Sequence, residues 1–109
     1  MIRLTVLYGQ PNDPAEFDRY YHDVHIPLAK KVKGFKGWTI GKCRSANHGE
    51  AAEFYMVVGL YADSREQMEQ ILASPEGQEL VADVPKFASG GVTFLYSDEQ
   101  VLIPYSLKG

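Results

Sequence analysis

Apolar residues on both faces of the predicted strands restrict the architecture of this chain more than any other feature. In residues 53–62 one face of the strand reads Phe-Met-Val-Leu and the other reads Tyr-Val-Gly-Tyr. A sheet packed on one face only should alternate apolar and polar residues. Helices can shield one face, so the other face would leave an apolar patch in water, which marks an interface.

A second copy of the chain, related by a two-fold axis, is the simplest cover for that face. The chain should therefore form a homodimer in which two sheets face each other as an α+β barrel. An apolar C-terminal segment, residues 101–105, is expected to lie over the partner. The alternative is a monomer whose second face is covered by this segment of its own chain.

The order of predicted elements is β-α-β-β-α-β, an antiparallel ferredoxin-like α+β layout with helices on one face. Alternating or apolar runs predict strands at residues 2–8, 37–44, 53–62 and 92–96. Apolar spacing predicts a first helix over about residues 14–32 and a second that begins at Ser64 and is split at Ser74. Asp13, Ser64 and Ser74 stand where N-caps are expected.

Composition indicates one ordinary domain over residues 1–109, with 45% apolar and 23% charged residues. The net charge of −3 gives no basis for binding nucleic acid. No signal peptide is visible, and the apolar run of residues 54–62 is too short to cross a membrane. Cys43 is the single cysteine, so it is expected to be a small buried hydrophobe. We expect a soluble, cytoplasmic protein with no membrane partner.

Pro27 interrupts the first helix at its most unusual segment, Tyr20-Tyr21-His22-Asp23-Val24-His25-Ile26-Pro27. Because proline lacks an N–H, the carbonyl of Asp23 loses its helical partner. The helix should therefore kink or open near residues 24–26.

His25 lies at the margin of the apolar stripe of this helix, where a side chain is partly desolvated yet reachable. A histidine pKa near neutrality suits proton transfer. The functional interpretation is a small pocket between the helix and the sheet, with His25 as the acid or base and Tyr20 and Tyr21 as catalytic partners. The structural interpretation is a border histidine that satisfies the broken backbone.

Four further residues are candidates for ligand binding, namely Arg3, Trp38, Tyr55 and Phe87. Arg3 is the one charge in the first strand. It is expected either to bind an anionic ligand inside the barrel or to pair with a carboxylate such as Asp83.

No set of His, Cys and carboxylate residues has the spacing of a zinc site. His22 is expected to be solvated and His48 to lie exposed in a hairpin loop. Nucleotide-binding and serine-hydrolase motifs are absent from the sequence. We therefore expect neither a metal nor a cofactor.

The segment around His25, together with Ser74-Pro75-Glu76-Gly77-Gln78 and Asp83-Val84-Pro85-Lys86-Phe87, resembles the signature of EthD-domain proteins over nearly the whole chain. The resemblance implies a ferredoxin-like fold and a dimeric α+β barrel. EthD proteins accompany an oxygenase system in ether degradation, and many carry the label "reductase". Related barrels include isomerases, cyclases, cofactor-free monooxygenases and haem enzymes, so the fold does not fix the function.

Three hypotheses remain open. The first is an enzyme, in a catabolic or secondary-metabolic pathway, that moves a proton on a small hydrophobic, oxygenated or aromatic molecule. The second is a ligand-binding or accessory dimer that supports an oxygenase system. The third is a dimer in which the histidine and tyrosines only repair the helix.

Overall fold

The computed structural model describes residues 1–105, which form a four-stranded antiparallel sheet with helices on one face. The strands are β1 (Ile2–Gly9), β2 (Gly37–Lys42), β3 (Phe54–Ala62) and β4 (Val92–Asp98). They lie in the order β2-β3-β1-β4, and every pairing is antiparallel. The predicted ferredoxin-like α+β layout is confirmed. Within residues 1–105, no helix combines the length and the apolar character needed to span a membrane.

The predicted first helix is α1 (Pro14–Tyr20), a π-helical turn (Tyr21–His25) and α2 (Ile26–Lys31). The second is α3 (Arg65–Ala73) and α4 (Pro75–Asp83), followed by a 3-10 turn (Val84–Lys86).

The three predicted N-caps are confirmed. Asp13 accepts from the Glu16 amide at 3.2 Å, and Ser64 accepts from the Gln67 amide at 3.1 Å. Ser74 ends α3 and caps α4 through the Gly77 amide at 3.1 Å. A single residue, Ser74, therefore lies between the two helices.

The core lies between the helices and one face of the sheet. Even-numbered residues of β1, from Ile2 to Tyr8, face the helices and are buried between β3 and β4. Phe17 of α1 packs edge-on against Tyr8, with ring centroids 5.4 Å apart. This end of β1 therefore carries an aromatic cluster beneath the first helix.

A β-bulge interrupts the alternation of β3 at its first residues. Tyr8 pairs with Met56 but Gly9 pairs with Phe54, so Tyr55 is an extra residue. Such a bulge turns the extra side chain off the regular alternation. The Tyr55 ring lies edge-on against Phe17 on the helix side, at 5.1 Å, so the prediction that it faces the opposite side is wrong.

The other sheet face carries Leu7, Val57, Tyr61 and Leu95, and none of the described helices covers it. We call this surface the open face. The apolar residues of segment 101–105 are between 63% and 88% exposed, so the segment does not cover the open face of its own chain. The self-covered monomer therefore has no support in this structure.

Candidate functional site

The helix opens where the proline predicts it. Pro27 cannot donate to the carbonyl of Asp23, and the Ile26 amide donates to the carbonyl of Tyr21, five residues earlier. This is the hydrogen bond of a π-helical turn, a feature often found at functional sites. The predicted break is therefore present as one widened turn.

The widened turn changes which residues face the sheet. In an uninterrupted α-helix, two side chains twelve positions apart point in directions that differ by roughly 120° around the helix axis. Across the π-helical turn, Phe17, Tyr21, His25 and Ala29 are all buried at intervals of four residues. His25 therefore lies inside the protein, although the regular period places it at the margin of the stripe.

Asp83, the last residue of α4, holds His25 in place. The Asp83 Oδ2 atom lies 2.9 Å from the His25 Nδ1 atom, and both residues are almost fully buried. The Tyr20 hydroxyl donates to Asp83 Oδ1 at 2.7 Å. We call Tyr20, His25 and Asp83 the buried cluster.

The buried cluster fixes the tautomer of the histidine. A carboxylate only accepts hydrogen bonds, so Nδ1 of His25 carries the hydrogen and Nε2 is the unprotonated ring atom. Burial lowers the pKa of His25, and the hydrogen bond and charge of Asp83 offset only part of that effect. The ring is therefore neutral near pH 7, with a free lone pair on Nε2.

The hydrogen bond to Asp83 also raises the pKa of Tyr20. Tyr20 does not line the cavity described next, and it is connected to His25 through Asp83, to which both residues are bonded.

A cavity of about 250 Å³ lies between the helices and the sheet, beside His25. Its walls are mainly Leu, Val and aromatic side chains, and among the described residues no Lys, Arg, Asp or Glu lines it. Val81 of α4 and Phe94 of β4 are lining residues that are also exposed, so they mark the mouth. The site is thus an apolar chamber with very few polar atoms.

The structure adds two residues that were not predicted in these roles. Tyr8 lines the cavity, although the sequence marks it only as the last inward position of β1. Asp83 was predicted as a partner for Arg3, but it bonds His25 instead. The sequence signal that could have identified Tyr8 as a cavity residue is the aromatic side chain, with its polar hydroxyl, at the last inward position of β1.

Two of the four predicted binding residues lie near His25. Trp38 of β2 lines the cavity. Phe87 does not line it but packs against the His25 ring, with centroids 4.6 Å apart. The structure therefore places Trp38 in the wall and Phe87 behind the histidine.

Arg3 lies on the open face, away from the cavity. Its Nη1 atom is 3.8 Å from Glu99, and its buried Nε atom has no hydrogen-bond partner among residues 1–105. A side chain on Gly59 would meet this guanidinium at 3.0 Å, so the glycine makes room for it. Arg3 and the cavity are thus separated by the sheet.

Tyr55 belongs to a different cluster, at the end of the sheet. Lys42 Nζ lies 2.7 Å from both Asp18 Oδ1 and the Tyr55 hydroxyl, and Tyr55 donates to the same Asp18 oxygen at 2.8 Å. Burial opposes ionisation of Asp18, but the hydrogen bonds from Lys42 and Tyr55 prevail and lower its pKa. We call these three residues the surface cluster.

No group of three or more His, Cys, Asp or Glu side chains within residues 1–105 is placed to hold a metal ion. His22 and His48 are both exposed.

Residues 10–91 match the family model described as "EthD domain". A protein of Rhodococcus erythropolis, described as "Uncharacterized 11.0 kDa protein in thcB-thcC intergenic region", is 43% identical over 104 residues, which cover 95% of this chain and all of that protein. A crystal structure from Bacillus halodurans, described as that of an "ethyl tert-butyl ether d (ethd) family protein", has a TM-score of 0.84 and 31% identity. That match covers 92% of this chain and 99% of the other.

Two more distant structures share the fold. A dimeric ferredoxin-like protein from Thermobifida fusca has a TM-score of 0.64 at 11% identity, and the match covers 88% of each chain. SnoaB of Streptomyces nogalater, described as a cofactor-independent oxygenase, has a TM-score of 0.63 at 13% identity, with 95% of this chain and 97% of the other covered.

Proposed function

The chain belongs to the EthD domain family, and on that premise we propose that it binds a small apolar molecule in the cavity and moves a proton on it. One observation carries the proposal, namely a histidine that is held by a buried carboxylate in the wall of an apolar chamber. A general base needs an unprotonated atom within reach of its substrate. Nε2 of His25 is that atom.

Asp83 supports each stage of such a transfer. When Nε2 takes a proton, the imidazolium that forms lies against a carboxylate 2.9 Å from Nδ1. The charge is therefore balanced at the moment when burial would make it most costly. Return of the proton to another atom of the same molecule gives an isomerisation. If the carbon left with the electron pair first attacks a second carbonyl of the same molecule, the proton goes to the alkoxide that forms, and the product is a cyclised isomer. Neither outcome needs an oxidant or a reductant.

His25→Asn tests this role with little change in packing. The asparagine amide can donate to Asp83 as Nδ1 does, but it has no atom equivalent to Nε2. We expect turnover of aromatic lactones, quinols and ethers to fall by about 10²-fold or more, the usual contribution of a general base. Binding, followed by the fluorescence of the single tryptophan Trp38 in the cavity wall, should change only a few-fold.

His22→Asn is the matched control, because this exposed histidine lies three residues earlier on the same helix. It should leave turnover unchanged. Turnover that survives His25→Asn would exclude His25 as the acid or base.

A binding protein without chemistry of its own, supporting an oxygenase system, is the second candidate. The scarcity of polar atoms in the cavity favours it, because binding an apolar molecule needs only shape and one or two oriented groups. Saturable quenching of Trp38 with no turnover in any of the three compound classes would support this candidate over the enzyme.

We also propose that two copies pair through the open face. Leu7, Val57, Tyr61 and Leu95 give it an apolar surface, and the described tail does not cover it. A structural relative is described as dimeric. The open face of a second copy, related by a two-fold axis, would cover this apolar surface and would form a dimer.

Leu95→Lys and Val81→Lys test the pairing as a matched pair. Leu95 is 52% exposed on the open face, and Val81 is 44% exposed on the helix side, so neither substitution enters the core. Light scattering should give twice the monomer mass for the wild type and for Val81→Lys, but a shift toward monomer for Leu95→Lys. A wild type that is monomeric at micromolar concentration would overturn the pairing.

A further inference from the structure

Two buried tyrosines in the cavity wall have hydroxyls that form no hydrogen bond within residues 1–105. Tyr8 is 2% exposed and Tyr21 is 1% exposed, and both line the cavity. Within residues 1–105 no group forms a hydrogen bond with either hydroxyl, whereas the Tyr20 and Tyr55 hydroxyls are both bonded. Among the described residues only the Arg3 Nε atom is a fully buried side-chain polar atom without a partner, so the two hydroxyl oxygens keep some contact with the cavity space and are open to a bound molecule.

The two hydroxyls are donors over the whole physiological pH range. Burial raises the pKa of Tyr8, and the charges of Tyr21 and Asp83 raise it further. Burial also raises the pKa of Tyr21. Both phenols therefore keep their protons and offer an O–H to whatever occupies the cavity.

The two tyrosines and His25 form one continuous wall. The Tyr8 and Tyr21 rings have centroids 6.1 Å apart, and the Tyr21 and His25 rings have centroids 5.1 Å apart. Two neighbouring donors next to a base match a carbonyl group, whose oxygen has two lone pairs and whose adjacent carbon carries an acidic C–H.

We propose that Tyr8 and Tyr21 hold the carbonyl oxygen of a neutral, otherwise apolar ketone or lactone, with His25 beside the carbon next to the carbonyl. The assignment rests on the proposed function and names its substrate class. Neutral molecules are favoured because the described cavity wall contains no Lys or Arg, so a carboxylate would lose its hydration without gaining a counter-charge.

The chemical step is balanced within this set of groups. The C–H bond next to the carbonyl breaks, its proton goes to Nε2 of His25, and its electron pair becomes an enolate whose oxygen accepts both tyrosine hydroxyls. Donors placed where negative charge develops stabilise the transition state more than the ground state. Where the substrate carries a C=C bond next to that carbon, the electron pair extends over it as a dienolate. Return of the proton to the far carbon of that bond then completes an isomerisation with no oxidant or reductant.

1-Tetralone and tetralin form a probe pair that differs only by the carbonyl oxygen. We expect Trp38 fluorescence to show tighter binding of tetralone to the wild type. Tyr8→Phe and Tyr21→Phe should each weaken tetralone binding about 3- to 10-fold, the range for one hydrogen bond. Tetralin binding should stay the same or tighten. Tyr55→Phe, in the surface cluster, is the control and should change neither.

The infrared carbonyl band of bound tetralone gives a second measurement on the unmodified protein. It should lie at lower frequency than for tetralone in an apolar solvent, because two donors weaken the C=O bond. Equal affinities for tetralone and tetralin, or an unshifted band, would overturn the assignment of the tyrosines.

Deuterium exchange at the carbon next to the carbonyl separates this inference from the proposed function. If wild type prefers tetralone but does not speed exchange, the oxygen site stands and the base role of His25 falls. If exchange is fast and lost in His25→Asn, but tetralone has no advantage over tetralin, the base role stands and the tyrosine pair falls. Failure of both compounds to bind would overturn both.

Discussion

The buried cluster and the surface cluster contain nearly the same chemistry, a carboxylate bonded to a tyrosine hydroxyl and to a nitrogen base. Both draw on the first helix, which gives Asp18 to one and Tyr20 to the other. They differ in burial, since the Asp83 side chain is 4% exposed and the Asp18 side chain 39%. Burial decides the charge state of the base in each.

In the surface cluster the base keeps its proton. Burial opposes the charge of Lys42, but the hydrogen bonds that it donates to Asp18 and Tyr55 outweigh this effect and raise the lysine pKa. In the buried cluster, burial outweighs the partner and lowers the pKa of His25. Water can reach the first pair and screen it, so it forms an ordinary ion pair. The second leaves an unprotonated nitrogen beside an apolar cavity, which is what proton transfer requires.

The largest difference between the two clusters should be the loss of stability when the carboxylate of each is removed. Asp83→Ala leaves a buried imidazole N–H without its acceptor, and we expect the free energy of unfolding to fall by about 2 kcal/mol. Asp18→Ala should cost less than about 1 kcal/mol, because exposed pairs contribute little. Urea denaturation of both variants measures the difference.

Asp83→Asn is the control for this comparison, since it keeps the volume of the side chain and one acceptor oxygen. It should recover part of the loss. Equal losses for Asp83→Ala and Asp18→Ala would show that burial does not distinguish the clusters in the way we describe.

The next largest contrast is in the pH dependence of the free energy of unfolding, to which we expect the buried cluster to contribute through His25. The folded pKa of His25 lies below its ordinary value of 6.5, so between these two values the unfolded chain binds more protons than the folded one. Stability therefore rises with pH through that window and is lost as the pH falls through it, with a slope of at most about 1.4 kcal/mol per pH unit for one proton.

His25→Asn should remove this part of the slope, and Tyr55→Phe should leave it intact. Thermal or urea unfolding at several pH values between 5 and 7.5 provides the measurement. An identical slope in the wild type and His25→Asn would mean that the histidine titrates in the folded protein as it does in the unfolded chain.

The fold follows from local patterns that the sequence shows directly. Apolar alternation locates the strands to within two residues, and Asp13, Ser64 and Ser74 cap the helices where predicted. Tyr55 is the exception, because a bulge depends on how β3 pairs with β1 and leaves no mark on the alternation.

The candidate site is only half visible in the sequence. Pro27 signals the broken helix and so draws attention to His25, because its effect on the backbone is local. Asp83 lies 58 residues further along the chain, and only tertiary packing brings it to the histidine. Tyr8 has the pattern of an ordinary core residue, and its role depends on a cavity that forms when the helices pack on the sheet.

The smallest expected difference concerns the two tyrosines that bond carboxylates. Tyr20→Phe removes the O–H that Asp83 Oδ1 accepts at 2.7 Å, which leaves more of the carboxylate charge to act on the histidine. The midpoint of the His25 titration, followed by NMR of its ring protons, should therefore rise toward the ordinary value. The rise is limited, because water can approach Asp83 once the phenol oxygen is gone. Tyr55→Phe removes the equivalent hydrogen bond that the Tyr55 hydroxyl donates to Asp18, and it should leave the midpoint of the His25 titration unchanged. An unchanged midpoint in Tyr20→Phe would mean that Tyr20 does not act on His25 through Asp83, and the buried cluster would reduce to a histidine and one carboxylate.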